Sequence, residues 1–162
     1  MKSCEWHIKI EVKLLSLILL LSFWGCYAKC QSFQDITLGP NDYIFQNSNL
    51  KIEEFIGDIK FTQRIITSLE AKKAKSLAME CVKERNASIY KKLNRYIVQY
   101  VGLEAKEIKI VYINFFIPTK YDDPSRFSKS IPLVMDGGDR YFSLMLNLKN
   151  ETCFNFHVNH EL

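Results

Sequence analysis

The stretch YFSLMLNLKNETCFNFHVN, residues 141–159, decides the fold, because two segments of alternating character flank a short polar turn. The apolar residues of the two segments are Phe142, Leu144, Leu146 and Leu148 in the first, and Phe154, Phe156 and Val158 in the second. Successive side chains of a strand point to opposite faces, so each segment has one apolar side. This pattern is typical of an antiparallel hairpin that covers a core with one face.

The register of this hairpin follows from the requirement that directly paired residues share a face. A three-residue loop, 149–151, would satisfy it, with Asn150 or Glu151 in the left-handed conformation. The predicted pairs are Leu146 with Phe154, Leu144 with Phe156, and Phe142 with Val158.

The other side of the predicted hairpin is polar but uncharged. Its candidate ligand-binding residues are Tyr141, Ser143, Asn147, Asn155, His157 and Asn159. Amides and aromatic rings together suit a sugar or a peptide, because they offer directional hydrogen bonds and stacking surfaces. The alternative interpretation is the solvated side of an ordinary antiparallel sheet.

Upstream, the spacing of apolar residues predicts a helix over 62–85. A strand is predicted over 96–103, with a hairpin turn at 104–107, and residues 108–117 are apolar on both alternating sets, which is typical of a central strand. Residues 118–132 form a long polar loop of the functional or mobile kind. The predicted fold class is α+β, with one long helix on an antiparallel sheet of about four strands, a cystatin-like or similar shape.

The N-terminal residues 1–28 are typical of a signal peptide, because lysines precede the apolar segment 14–28, which is shorter than the ~20 residues of a membrane span. Cleavage after Ala28 leaves a single domain over residues 29–162. Two alternatives stay open: a bacterial lipoprotein modified at Cys26, and an uncleaved membrane anchor. Each predicts export, to the periplasm, the cell surface or the medium.

The charge excludes a nucleic-acid footprint. The whole chain carries +4, and removing three lysines and two glutamates with residues 1–28 leaves +3, with acidic and basic residues interspersed. We expect membrane contact only through the signal peptide or a lipid on Cys26. The expected partner is a protein, a peptide or a glycan.

Three cysteines, Cys30, Cys81 and Cys153, follow the predicted cleavage point. Export permits disulfides, but an odd number cannot pair completely within one chain. The predicted register places Cys153 away from the core and Cys81 towards it, which argues against a bridge between them. Cys30 could then pair with either.

The segment Asp136-Gly137-Gly138-Asp139 is the nearest approach to a ligand-binding loop. Glycine loops that hold phosphate precede a helix, whereas this one precedes a strand, so a tight turn is the favoured interpretation. The alternative is a ligand loop to which Asp122 and Asp123 lend carboxylates.

No catalytic pair or metal site is apparent in the sequence. Cys153 and His157 would share a face but lie ~13 Å apart along a strand at ~3.3 Å per residue, too far for a nucleophilic pair. His157 and His160 would point to opposite faces of a strand. We therefore predict no enzymatic activity, no metal and no cofactor.

Residues 96–159 resemble a group of small exported bacterial proteins without an assigned function. The matching segments are Gln99-Tyr100-Val101-Gly102, Val111-Tyr112-Ile113-Asn114-Phe115-Phe116, Asp136-Gly137-Gly138 with Tyr141-Phe142, and Phe154-Asn155-Phe156-His157-Val158-Asn159. The resemblance covers about half of residues 29–162. It implies bacterial export and a helix followed by an antiparallel sheet, and it supplies no catalytic residues.

The segment Gln99-Tyr100-Val101-Gly102 is also similar to the hairpin tip of cystatin-type protease inhibitors, which reads Gln-x-Val-x-Gly. The glycine stands one place early here, and the second inhibitory loop with its Pro-Trp pair is absent from the sequence. This resemblance implies an inhibitor whose tip, Gln99 to Gly102, projects from the body.

Three functions follow from these patterns. The favoured one is an exported, non-enzymatic binding module that uses the uncharged hairpin face or the loop 118–132. A protease inhibitor requires a projecting tip near Gln99. A small hydrolase requires Asp136, Asp139 and His157 to converge within hydrogen-bond distance.

Overall fold

The computed structural model describes residues 37–46, 61–132, 134 and 136–159, all within the unit Thr37–Leu162. Its strands are β1 (Asp42–Ile44), β2 (Thr62–Arg64), β3 (Ile97–Ala105), β4 (Ile108–Phe116), β5 (Tyr141–Asn147) and β6 (Thr152–Val158). Its helices are α1 (Ser68–Arg85) and α2 (Ala87–Tyr90). Short 3-10 turns lie at Leu93–Arg95, Pro124–Arg126 and Gly138–Arg140.

The six strands form one mixed sheet. Strands β3, β4, β5 and β6 are antiparallel neighbours in that order. The remaining edge of β3 carries both short strands, β1 in parallel and β2 antiparallel. The predicted fold class, one long helix on an antiparallel sheet of about four strands in a cystatin-like shape, is therefore wrong. The two short strands have three residues each, too few to show an alternating pattern, and their pairing with β3 is long-range.

The central hairpin of the sheet matches its sequence pattern closely. β4 lies between β3 and β5 and is buried from Ile110 to Phe116, as expected for a strand that is apolar on both sides. β3 begins and ends one or two residues later than predicted. The turn between β3 and β4 has two residues, Lys106 and Glu107, rather than the predicted four, 104–107. These two residues adopt φ values of 47° and 67°. Both left-handed residues suit the twist of a two-residue hairpin turn.

Helix α1 begins later than predicted. The side chain of Thr67 accepts a hydrogen bond from Glu70 N, and the Glu70 carboxylate accepts one from Thr67 N, so a capping box fixes the start. The predicted first turn is instead β2, where Arg64 pairs with Gly102. A Cβ on Gly102 would lie 2.4 Å from both Arg64 O and Ile66 Cγ2, so only glycine admits this close approach. Asn86 ends α1 and caps α2.

The two faces of the sheet are covered differently, and we name them accordingly. The helix face lies beneath α1, whose small buried residues Ala71, Ala74 and Ala78 let it approach the strands closely. The strand residues of the helix face are Tyr100, Val111, Ile113, Phe115, Phe142, Leu144 and Leu146. The opposite loop face carries Gln99, Val101, Leu103, Tyr112, Asn114, Phe116, Tyr141 and Met145.

The terminal hairpin follows the predicted register only at its open end. Phe142 pairs with Val158, as predicted. The rings of Phe142 and Phe156 lie 5.7 Å apart, so both rings are on the helix face of the sheet, also as predicted. Near the turn the pairs are Leu146 with Cys153 and Met145 with Phe154, so the predicted pairing of Leu146 with Phe154 is wrong.

A bulge in β6 reconciles the two registers. The Asn147 side chain accepts hydrogen bonds from Lys149 N and Asn150 N, and the loop runs over four residues, 148–151, rather than three. Glu151 adopts φ 54°, as one of the two predicted left-handed positions. The extra β6 residue lies near Asn155, at φ 49°, and restores the predicted alignment beyond it.

This shift brings Cys153 to the helix face. Cys81 of α1 and Cys153 of β6 form a disulfide with Cα atoms 6.2 Å apart, so the prediction against this bridge is wrong. The error came from the assumed three-residue loop, which placed Cys153 on the other side. Cys30 and the predicted signal peptide lie outside the described residues.

Candidate functional site

The loop 118–132 covers part of the loop face and is anchored by aromatic contacts. Phe127 is buried, and its ring meets the edge of Phe116 at 5.1 Å and of Tyr43 at 5.9 Å. Ile131 is buried in the neighbouring cluster that contains Tyr112 and Met145 of the sheet. The sequence indicated a polar connection, and these two apolar residues fix it to the strands.

A buried polar network adds a second anchor. Gln99 is fully buried, and its Nε2 donates hydrogen bonds to Phe127 O at 2.7 Å and Ser130 O at 2.9 Å. Its Oε1 accepts a hydrogen bond from Asn114 Nδ2 at 2.8 Å. The side-chain amide therefore satisfies two carbonyl groups of a loop that has no ladder partner there.

Two aspartates order the exposed half of the same loop. Asp122 accepts hydrogen bonds from Thr119 N and Thr119 Oγ1, at 2.5 and 2.8 Å. Asp123 accepts them from Ser125 N and Ser125 Oγ, at 2.9 and 2.8 Å. Such local bonds hold turns in place where regular structure is absent. The hydrogen bonds from Ser125 lower the pKa of Asp123, which is therefore ionised at neutral pH.

An open cavity of about 370 Å³ lies where the loop meets the sheet. The lining residues are Phe116, Tyr121, Asp122, Asp123, Arg126, Phe127, Ser130, Ile131 and Pro132. Tyr121 is 84% exposed, and Lys120 Nζ lies 4.9 Å from the centre of its ring. The cavity thus combines aromatic surfaces with carboxylate, guanidinium and hydroxyl groups, and we call it the loop cavity.

Tyr141 connects the loop cavity with the predicted hairpin face. Its ring stacks on Phe116, a lining residue, with centroids 6.2 Å apart and planes 9° from parallel. Burial, together with the nearby carboxylate of Asp122, raises the pKa of Tyr141 above its ordinary value, so the phenol is neutral at physiological pH.

The other predicted ligand-binding residues differ in their exposure to solvent. Ser143 is half-buried and hydrogen-bonds with Tyr112, whose pKa burial raises to about 12. Asn147 caps the hairpin loop, and Asn159 Nδ2 donates a hydrogen bond to Val134 O at 2.6 Å. Asn155 and His157 are exposed on the edge strand β6. Asn155 Nδ2 also donates a hydrogen bond to Met145 Sδ at 3.7 Å, so structural contacts engage Ser143, Asn147, Asn155 and Asn159.

The segment 136–139 is a turn, as favoured. Gly138 adopts φ 53°, and a Cβ on Gly137 would lie 2.1 Å from Cδ2 of the Tyr141 ring. Asp139 pairs with Lys92 Nζ at 2.8 Å, and its carbonyl accepts a hydrogen bond from Tyr96 Oη at 2.5 Å. Burial, with the Asp139 charge, raises the pKa of Tyr96 to about 12. The turn thus ties β5 to the residues that precede β3.

The hairpin tip predicted from the cystatin resemblance does not project. Gln99, Tyr100, Val101 and Gly102 lie in the middle of β3, flanked by β4 on one side and by β1 and β2 on the other. All four are buried. The requirement for a projecting tip is therefore not met at this segment.

Within residues 37–46, 61–132, 134 and 136–159, no group of three His, Cys, Asp or Glu side chains could hold a metal ion. Asp136, Asp139 and His157 are therefore not part of such a group, and the hydrolase hypothesis built on them stays a prediction. No helix in these ranges is both long and apolar enough to cross a membrane.

We compared the chain with protein-family models, with curated proteins and with solved structures, and none of the three comparisons found a match. The candidate site therefore depends on geometry alone. Sequence reasoning selected the loop 118–132 and its aspartates but missed Phe116, Arg126 and Phe127. The available signal was the presence of Tyr121, Phe127 and Ile131 in an otherwise polar loop.

Proposed function

We propose that this protein is an exported, non-enzymatic binding module that holds a glycan in the loop cavity. The apolar segment 14–28 behind its lysines supports export. The disulfide between Cys81 and Cys153 supports an oxidising compartment, since cytosolic thiols are kept reduced.

The observation that carries the glycan proposal is an exposed aromatic ring beside carboxylates at a cavity. Tyr121 leaves most of its surface to solvent although it lines the loop cavity. A sugar ring has an apolar face that can stack on such a ring and hydroxyl groups that donate to carboxylates. Asp122, Asp123 and Arg126 supply those hydrogen-bonding partners around the same space.

The loop is also preorganised, which a weak hydrogen-bonding ligand needs. The Gln99 amide and the Phe127 ring fix its C-terminal half, and Asp122 and Asp123 fix its turns. A site that is ordered before binding loses less conformational entropy when the ligand enters. At about 370 Å³ the loop cavity lies within the range of roughly 300–1,000 Å³ typical of ligand pockets, near its lower end, and would hold one sugar unit of a longer chain.

The test is binding of the full chain to an array of immobilised mono- and oligosaccharides. We expect at least one saccharide to bind, and Tyr121→Ala to weaken that binding about tenfold, since an aromatic contact contributes about 0.5–1.5 kcal/mol. Lys129→Ala is the matched control, because Lys129 is exposed on the same loop and does not line the loop cavity. Binding to no saccharide, or equal loss in both variants, would contradict the proposal.

A further inference from the structure

A second cavity lies on the helix face of the sheet, between residues 39–42 and α1. Its volume is about 300 Å³, and its wall is formed mainly by apolar surface. The apolar lining residues are Pro40, Met79, Leu93, Val98 and Phe115, together with the rings of Tyr96 and Tyr100. No residue of this apolar cavity lines the loop cavity, so the two sites are separate.

We call this second cavity the apolar cavity. Among its lining residues is a polar cluster centred on Asp42, whose carboxylate oxygens all have hydrogen-bond donors. The Asp42 side chain is only 2% exposed, and its Oδ1 accepts a hydrogen bond from Tyr100 Oη at 2.7 Å. Its Oδ2 accepts from Lys75 Nζ at 2.7 Å and from Gly39 N at 2.6 Å. Burial, and then the Asp42 carboxylate, raise the pKa of Tyr100, which stays a neutral donor. The cluster therefore carries no net charge.

Lys75 has donor capacity that the cluster does not use. An ammonium group has three N–H donors. The hydrogen bonds of Lys75 to other described residues are two, to Asp42 Oδ2 and to Thr37 O at 3.2 Å. Lys75 also lines the apolar cavity and keeps 25% of its side chain exposed. One donor is thus available to an acceptor inside the cavity.

We propose that the apolar cavity binds a small, neutral and mainly apolar molecule with one hydrogen-bond acceptor, such as a ketone, ester or amide oxygen, placed at Lys75. An anion would meet the Asp42 carboxylate at the same end, and a cation would meet the Lys75 ammonium. The apolar rings and methyl groups favour a hydrocarbon or aromatic body, since burial removes it from water. This site is independent of the glycan proposal.

The probe for this site is 6-propionyl-2-(dimethylamino)naphthalene, a neutral ketone whose fluorescence shifts to the blue in apolar surroundings. We expect saturable, one-to-one binding to the full chain, with a blue shift. Met79→Trp should abolish this binding, because Met79 is partly exposed and a larger ring there would occupy the cavity. Glu80→Trp is the matched control, since this exposed neighbour on α1 does not line the cavity.

The role of Lys75 needs a second comparison. Lys75→Met keeps the length of the side chain and removes its donors, so binding of the ketone should weaken about tenfold. N-phenyl-1-naphthylamine, which has no acceptor oxygen, should bind Lys75→Met and the wild type equally, which also shows that the variant is folded.

Three results would overturn the proposal: ketone binding that Met79→Trp leaves intact, equal loss of both probes in Lys75→Met, or tighter binding of an anionic naphthalene sulfonate than of the ketone. Tyr121→Ala should leave ketone binding unchanged. Failure of ketone binding would therefore count against the apolar cavity alone, and failure of saccharide binding against the loop cavity alone.

Discussion

The two faces of the sheet are covered by different physical means. On the helix face, α1 packs through three buried alanines and is linked covalently to β6 by Cys81 and Cys153. On the loop face, residues 118–132 have little regular structure, and a buried glutamine and two apolar side chains hold them to the strands.

The way each face is covered determines which side chains can change without disturbing the core. A packed helix face tolerates few changes in shape, because close packing transmits any change in volume. A loop on a rigid sheet can present polar groups without disturbing the core, as binding loops commonly do. The structure therefore combines a covalently linked, closely packed helix with a loop held by a few polar and apolar side chains, and the next three predictions test that difference.

Removing the disulfide should have the largest effect. A bridge across a separation of 72 residues is expected to stabilise the fold by about 4 kcal/mol through the entropy of the unfolded chain. We expect the double variant Cys81→Ser with Cys153→Ser to unfold at lower urea concentration by that amount. Reductant should lower the stability of the wild type to the same level and leave the variant unchanged. If reductant leaves the stability of the wild type to urea unchanged, the disulfide is contradicted.

Removing the buried amide of the loop face should have the next largest effect. Gln99→Leu would leave Phe127 O, Ser130 O and Asn114 Nδ2 without their partner, at a cost of about 3 kcal/mol. Asn114→Leu is the matched comparison, since it removes only the bond to Gln99 Oε1 and should cost about 1 kcal/mol.

Hydrogen exchange separates a local effect of Gln99→Leu from a general one. Amides of residues 118–132 should exchange faster in this variant, while those of α1 keep the rate that the lowered global stability predicts. Equal stability losses in the two variants, or unchanged exchange in the loop, would show that the network does not anchor it.

The capping box of α1 should give the smallest effect, and it depends on pH. Burial acts to raise the pKa of Glu70, but hydrogen bonds from Arg64 and Thr67 N outweigh it and leave the pKa below 4.5. The stabilisation of the fold by the ionised Glu70 carboxylate is fully present above the pKa of this group in the unfolded chain, near 4.5. It is lost as the pH falls through the lower pKa of the folded protein.

The wild type should therefore exceed Glu70→Gln in stability by about 1 kcal/mol at pH 7, and the difference should shrink below pH ~4.5. Urea unfolding of both proteins across this range measures it. Glu80→Gln alters an exposed carboxylate on the same helix and should show a much smaller difference. A difference for Glu70→Gln that stays constant with pH would contradict the role of the carboxylate.

The sequence predicted those elements whose pattern repeats over enough residues. The apolar run of β4 covers a nine-residue strand and the apolar stripe of α1 an 18-residue helix, and both elements form as expected apart from the first residues of the helix. β1 and β2 could not be predicted as parts of this sheet, because three residues carry no period and their partner lies far along the chain.

The candidate sites show the same limit more strongly. The alternation in β5 predicted its faces correctly, but one loop residue more than assumed turned Cys153 to the helix face and created the bulge at Asn155. Gln99 was assigned to a projecting tip on the strength of a short motif, whereas its environment is set by the loop that folds over it. Such contacts depend on tertiary structure and leave no local signal.

The most direct test of the central claim, that the loop face binds a glycan, is an amide NMR titration of the ¹⁵N-labelled full chain with the tightest saccharide of the array. We predict that the shifted amides cluster in residues 118–132 and at Phe116 and Tyr141, with those of α1 unchanged. Shifts centred on α1 or on Lys75, or shifts that persist undiminished in Tyr121→Ala, would contradict it.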